Sequence, residues 1–272
     1  MNIWIKINPY QNFQDDWHIL SILNSISNVA IYYIRKNTRT SIFVRIPSEE
    51  LGVWKKIPDM EIENVQTPPL IEFEHVRKMR MSKSFAYPIV TEKQRTTLFH
   101  ILEQVDECII AVYAKRDNHA QHHILGPVSK RERKTTKATS QTQVKLNEMK
   151  TKASDDSFFR CEVIVATNIE SDLEILYNSV PERLQKSVKV NQKKFSFKKR
   201  KNLEDKFDFI NYEPKIPRWG KGNIRTPVLN KIELASIIEF PEDISKIRLD
   251  FGSYETFTQG PQANVEDTDI IF

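Results

Sequence analysis

The chain has 272 residues, 39% of them hydrophobic and 28% charged, with a formal net charge of +5. That length suits one large domain or two small ones. No apolar run approaches the roughly 20 residues a membrane helix needs, and the start, MNIWIKINPYQNFQDDW, lacks the apolar centre of a signal peptide. The expected location is cytoplasmic, or peripheral on the inner face of a membrane through a partner.

The first elements follow from periodicity. Ile3 to Ile7 alternates as a short strand, and Asp15 to Ser27 places Ile19, Leu20, Leu23 and Ile26 at helical spacing. Asn28 to Arg35 (NVAIYYIR) and Thr40 to Ile46 (TSIFVRI) are β-branched strands joined by a hairpin connection, Lys36 to Arg39. Pro58, Pro68, Pro69 and Pro88 make the next stretch extended, with an edge strand at Leu70 to Val76. Ser84 to Val90 reads as a strand. Thr91 with Gln94 forms a capping box for a helix that buries Leu98, Ile101, Leu102 and Val105. Glu107 to Ala114 (ECIIAVYA) is again a strand.

From His119 to Asp156 the apolar pattern fades into a polar, Thr/Ser/Lys-rich segment without an aromatic residue, read as a flexible insertion or a solvated helix. Phe159 to Thr167 (FRCEVIVAT) restores a strand. Ser171 and Glu174 offer a capping box for a helix with Ile169, Leu173, Leu176, Tyr177 and Val180 on its stripe. Near the end, RTPVLNKIELASIIEFPED carries Asn230 as N-cap, Glu233 three residues on, Leu229 and Leu234 at the staple positions and Pro241 as a stop. The helix is expected over 231–239.

The fold class expected is α+β, in ferredoxin-like layers with a sheet carrying helices on one face, and with the N-terminal unit as a degenerate second copy. The expected division is an N-terminal α+β unit (1–80), a ferredoxin-like unit (81–215) with the flexible basic insertion at 119–156, and a C-terminal helix and extended segment (216–272).

Charge is uneven. From Val128 to Lys206 there are 19 Lys and Arg against 11 Asp and Glu, a net +8, so the rest carries −3. The sharpest feature is the tract 189–206, where Lys193, Lys194, Lys198, Lys199, Arg200 and Lys201 flank Phe195 and Phe197. Two readings stand. Lysines that neutralise phosphates and aromatics that stack on bases make a nucleic-acid contact, whereas KFSFK also alternates as a strand with solvated lysines. A second basic cluster, Lys130, Arg131, Arg133, Lys134 and Lys137, falls in the insertion.

Motifs for catalysis are absent from the string. There is no GxxxxGK[ST], no GxSxG and no CxxC, and the six histidines show no metal spacing. Gly220-Lys221-Gly222 is a turn. Cys108 and Cys161 sit in apolar strand-like runs, as buried thiols of a reducing compartment do. No catalytic residue, metal or cofactor is assigned, and the expectation is a non-enzyme.

Several segments, in order, resemble a known family. LNKIELASIIEFP is similar to a Leu-x-x-x-Glu-Leu-Ala run ending in Phe-Pro or Leu-Pro in type IV secretion and conjugative-transfer ATPases of the FtsK/HerA group; Leu229, Glu233, Leu234, Ala235, Phe240 and Pro241 match it. IYYIRK…SIFVRIPSEELGVWKKIPDMEIE, SFAYPI and DDSFFRCEVIVATN resemble segments that precede it in that family. The nucleotide and metal motifs that follow in the family have no counterpart here, so the resemblance carries over none of those residues. It implies an assembly or docking domain of a conjugative DNA-transfer machine that contacts an ATPase or channel subunit, with Leu234, Ile237, Ile238 and Phe240 as the partner-binding residues. The alternative expectation is a plasmid- or phage-type DNA-binding or replication protein that uses the 189–206 tract.

Overall fold

A computed structural model describes residues 1–9, 18–58, 60–68, 72–81, 86–89, 98–133, 140–178, 186–189, 207–213, 227–238 and 240. Among them the chain runs β1 (Asn2–Pro9), α1 (His18–Ser25), β2 (Asn28–Lys36), β3 (Arg39–Pro47), a 3₁₀ turn (Ser48–Glu50) into α2 (Leu51–Trp54), β4 (Met60–Val65) and β5 (His75–Arg80). It continues with α3 (Leu98–Leu102), β6 (Cys108–Arg116), α4 (Ala120–Glu132), α5 (Ser140–Ala153), β7 (Phe158–Thr167), α6 (Asp172–Tyr177), β8 (Lys186–Lys189), β9 (Val228–Asn230) and α7 (Lys231–Ala235).

These strands form one sheet in the order β4-β1-β3-β2-β6-β7-β5-β8, with β9 also on β7. Every ladder is antiparallel. The protein is therefore α+β, with a mostly antiparallel open sheet and helices. The strand order repeats in mirror image about the β2–β6 ladder, which runs from Asn28↔Lys115 to Arg35↔Cys108. β9 and β5 share one edge of β7, β9 along its start and β5 along its end.

Alternation along the strands builds two cores. On one face Ile5, Ile31, Val112 and Val163 pack with Leu23 of α1, Phe99 of α3, Leu173 of α6 and Leu234 of α7. On the other, Trp4, Tyr32, Phe43 and Tyr113 lie beneath the segment 207–213, which supplies Phe207, Phe209 and Tyr212. That segment is strapped down by Arg45, whose Nη1 and Nη2 donate to the carbonyls of Ile210 and Tyr212, both at 2.7 Å. The Tyr32 hydroxyl donates to the Phe209 carbonyl at 3.3 Å.

Several expectations change. Of the two readings of the insertion, helix is what its described residues show, though not a fully solvated one: α4 and α5 pack on each other, burying Ala120, Ile124, Val128, Leu146, Met149 and Ala153 against Phe158 and Val228. Their spacing at i, i+4, i+8 and at i, i+3, i+7 is helical, but alanine and methionine carry it weakly. Residues 86–89, the described part of the strand expected at Ser84 to Val90, are a turn, a bend and irregular chain; the Tyr87 carbonyl and the Ile89 N–H are engaged by side chains described below. Of the edge strand expected at Leu70 to Val76, residues 70–71 lie outside the described residues and 72–74 are not strand; β5 begins only at His75 and lies between β7 and β8 rather than at an edge. Ser171 is in the αR conformation and makes no side-chain cap, so the second capping box does not form. The Thr91–Gln94 box lies outside the described residues. The last helix is shorter than 231–239: after Ala235 the N–H groups of Ile237 and Ile238 both reach the Leu234 carbonyl at 3.0 Å, a tightened last turn.

In the β2–β3 hairpin the connecting residues Asn37 (φ 50°) and Thr38 (φ 68°) both take positive φ. Two such residues make the turn whose twist suits the flanking strands. Asn tolerates that region, while a β-branched Thr does so under strain.

Candidate functional site

The closing stretch builds the most structured polar site. Asn230 caps α7, its side chain accepting from the Glu233 N–H at 2.8 Å, while Glu233 Oε2 accepts from the Asn230 N–H at 2.9 Å. The capping box expected from the sequence is formed. Glu233 also reaches beyond its own helix: Oε1 accepts from the Ile89 N–H at 2.8 Å, and Oε2 pairs with Lys152 Nζ at 2.9 Å. Lys152 in turn donates to the carbonyls of Val228 at 2.7 Å and Tyr87 at 3.2 Å. The two side chains are 0% and 3% exposed. Three acceptors match the three donors of an ammonium group, so this buried pair is fully satisfied. It ties α5, residues 86–89, β9 and α7 together.

Above the pair opens a groove of about 480 Å³, lined by Pro88, Ile89, Val144, Asn147, Thr151 and Ile232 among others. Val144 on α5 and Ile232 on α7 stand on its two sides and are 57% and 55% exposed. Large aliphatic side chains so exposed, facing one concavity, are the kind of surface that a partner covers.

The residues first assigned to partner contact go elsewhere. Leu234, Ile237, Ile238 and Phe240 are 0 to 4% exposed and belong to the core beside α1 and the sheet. The apolar stripe of α7 faces inward because it docks this segment against α1 and β7. Ile232 lies off that stripe and stays outside. The candidate nucleic-acid residues Lys193, Lys194, Phe195, Phe197, Lys198, Lys199, Arg200 and Lys201 lie outside the described residues.

Sequence reasoning missed Lys152, which was absorbed into the polar insertion. A signal exists: Lys152 adjoins Ala153 on the side of α5 that carries Met149, a charge set beside an apolar stripe.

A second buried polar cluster lies on the opposite face. Glu162 of β7 accepts from Lys78 of β5 and from the Tyr212 hydroxyl. Burial holds the Lys78 ammonium below its ordinary value, against the Glu162 carboxylate that pulls the other way. Burial, followed by the Glu162 hydrogen bond and charge, pushes the Tyr212 phenol up. The cluster fastens the strap to the sheet. The thiols are equally closed: burial pushes Cys108 up to about 12 and raises Cys161 further. Cys108 lies opposite Thr167 and Cys161 opposite Ala114, at the two ends of one ladder, and both are free. Among the described residues no group of three His, Cys, Asp or Glu is placed to hold a metal ion, and no helix is long and apolar enough to cross a membrane.

Compared with known protein families the chain matches no family model, and no curated protein matches it.

Proposed function

We propose that this chain is a non-enzymatic assembly module of a conjugative DNA-transfer machine of the type IV secretion kind, which docks an ATPase or channel subunit at the cytoplasmic face. The observation that carries it is the groove between α5 and α7. The element that resembles the ATPase family, LNKIELASIIEFP, supplies Asn230, Ile232 and Glu233 to that groove, and exposed Ile232 lines it together with exposed Val144 of α5. The contact moves from the buried stripe of α7 to these two side chains. An apolar side chain of the partner fits there, beside Asn147 and Thr151 of α5.

The same reading includes a finer fold. Each half is a degenerate ferredoxin-like unit. β1 to β4 run strand, helix, strand, strand, helix, strand in the spatial order β4-β1-β3-β2. β5 to β8 follow the same succession, seen from the other side as β6-β7-β5-β8, with the α4–α5 hairpin occupying the connection between the two middle strands.

Co-purification from the native host tests the function. Wild-type protein is expected to bring down an ATPase or channel subunit, and Val144→Asp with Ile232→Asp is expected to lose it while melting at the wild-type temperature. If wild type brings down neither, the docking reading fails. A second reading, DNA binding through the 189–206 tract, rests on the local charge of +8 between Val128 and Lys206 and predicts that Lys198→Ala, Lys199→Ala, Arg200→Ala and Lys201→Ala together flatten the salt dependence of binding.

A further inference from the structure

The two cores of the sheet are built from different residues. On the face that carries α1, α3, α6 and α7, five of the 37 buried core residues are aromatic; on the other face six of the 12 are, namely Trp4, Tyr32, Phe43, Phe73, Tyr113 and Phe209. Trp4 of β1, Tyr32 of β2 and Tyr113 of β6 make a row across the strands, with successive ring centroids 4.9 and 5.6 Å apart. The cover over this face is slight. Among the described residues no helix contributes to it; residues 207–213 do, and of these only Phe209 is fully buried. This strap belongs to no strand of the sheet. Its Ile210 and Asn211 N–H groups turn back to its own Asp208 carboxylate. Side chains hold it down: Arg45 on two carbonyls, Tyr32 on a third, and its own Tyr212 on Glu162. A segment with one buried anchor and no ladder lies at the low end of local stability.

We propose that this aromatic face is a platform for single-stranded nucleic acid and that the strap is an autoinhibitory contact holding it shut. What the strap presents to the sheet is what an unpaired strand presents. Its Tyr212 ring meets Tyr113 at 5.1 Å and its Phe209 ring meets Phe73 at 6.2 Å, in the places of bases. Arg45 lies 5.7 Å over the Trp4 ring and directs its fork at two strap oxygens, each 2.7 Å away; the same fork fits two oxygens of a phosphate. Asp208 and Glu213 add exposed carboxylates to the strap, as phosphates add charge to a strand. A sheet with helices behind and rings in front is a known way to hold unpaired bases, and every base has a face on which a ring stacks. The stacked bases of a duplex offer no such face. The platform is separate from the groove and does not rest on the docking reading.

The test uses the full chain with labelled oligo-dT and oligo-rU, binding being followed by anisotropy at low salt. The opened variant is Phe207→Ala, Phe209→Ala and Tyr212→Ala together. It is expected to bind at least one of the two oligonucleotides at least tenfold more tightly than wild type, the tighter of them showing whether the platform takes DNA or RNA, and to gain nothing for a duplex. Within the opened variant, Trp4→Leu and Tyr113→Leu keep an apolar side chain but remove the ring. Each is expected to lower the affinity by about 5- to 150-fold, the worth of one stacked base. Tyr212→Phe alone cuts only the bond to Glu162 and serves if the triple variant does not fold; it is expected to bind the oligonucleotide more tightly than wild type with an unchanged circular dichroism spectrum. The proposal is overturned if the folded opened variant, or Tyr212→Phe in its place, gains no affinity for either oligonucleotide. It is also overturned if the gain survives the loss of both rings, or if a duplex gains as much as the single strands.

Discussion

Replacing Lys152 with Met tests whether the pair beneath the groove holds this end of the molecule together. The substitution keeps the length of the side chain and its apolar contacts but removes the charge. Glu233, 3% exposed, is left with the N–H groups of Ile89 and Asn230 and no cation, and the carbonyls of Tyr87 and Val228 lose their donor. Breaking a buried pair by removing one partner costs about 3–5 kcal/mol, which at roughly 2–3 °C per kcal/mol for a chain of this size lowers Tm by about 10 °C. Adding Glu233→Met removes the stranded charge as well. The double variant is expected to be more stable than Lys152→Met alone, short of wild type by the lost cap, about 1 kcal/mol. Urea melts of wild type, both single variants and the double close a thermodynamic cycle; with about 3–5 kcal/mol lost in each single variant and about 1 kcal/mol in the double, the expected coupling is about 5 kcal/mol or more. If Lys152→Met costs under about 1 kcal/mol, as an exposed pair would, or if the two losses simply add, the pair does not organise the groove.

Two further outcomes follow from local geometry and burial. Thr38→Gly relieves a β-branched residue at positive φ in a two-residue hairpin and is expected to raise stability by about 0.5–1 kcal/mol, after the entropic cost of glycine; a lower midpoint in a thermal melt contradicts the turn assignment. Cys108 and Cys161 are expected to ignore a disulfide reagent at pH 8 until the protein unfolds. Because burial raises the Cys108 thiol from 9.0 to about 12, its contribution to stability is complete below pH 9 and is lost as pH rises from there towards 12. Rapid labelling of native protein, or a midpoint rising between pH 9 and 11, refutes the burial of these thiols.

The parts of the fold legible in the sequence are those whose signal is local and strong. NVAIYYIR, TSIFVRI, ECIIAVYA and FRCEVIVAT are β-branched runs and became β2, β3, β6 and β7. The Asn230–Glu233 cap depends only on residues three apart and was readable for that reason. The α4–α5 hairpin was not. Gly126 and Pro127 look like breakers inside α4, and alanine and methionine stand where larger apolar residues would announce a core. Ile232 and Leu234 differ by two residues in one short helix, yet one is 55% exposed and the other fully buried. Which of them faces a partner depends on how β9 seats α7 against β7, and that is set by long-range pairing. The groove itself joins residues 88, 144 and 232, a conjunction no local window contains.

The central claim is that the α5–α7 groove receives a subunit of a DNA-transfer machine. A photoreactive amino acid placed at Ile232 in the native host, with a control at Lys36, exposed at the end of β2, addresses it most directly. The account predicts that Ile232 crosslinks to an ATPase that carries a GxxxxGK[ST] loop or to a channel subunit encoded with it, and that Lys36 does not. Equal labelling from both positions, or an Ile232 adduct only with proteins unrelated to DNA transfer, contradicts it.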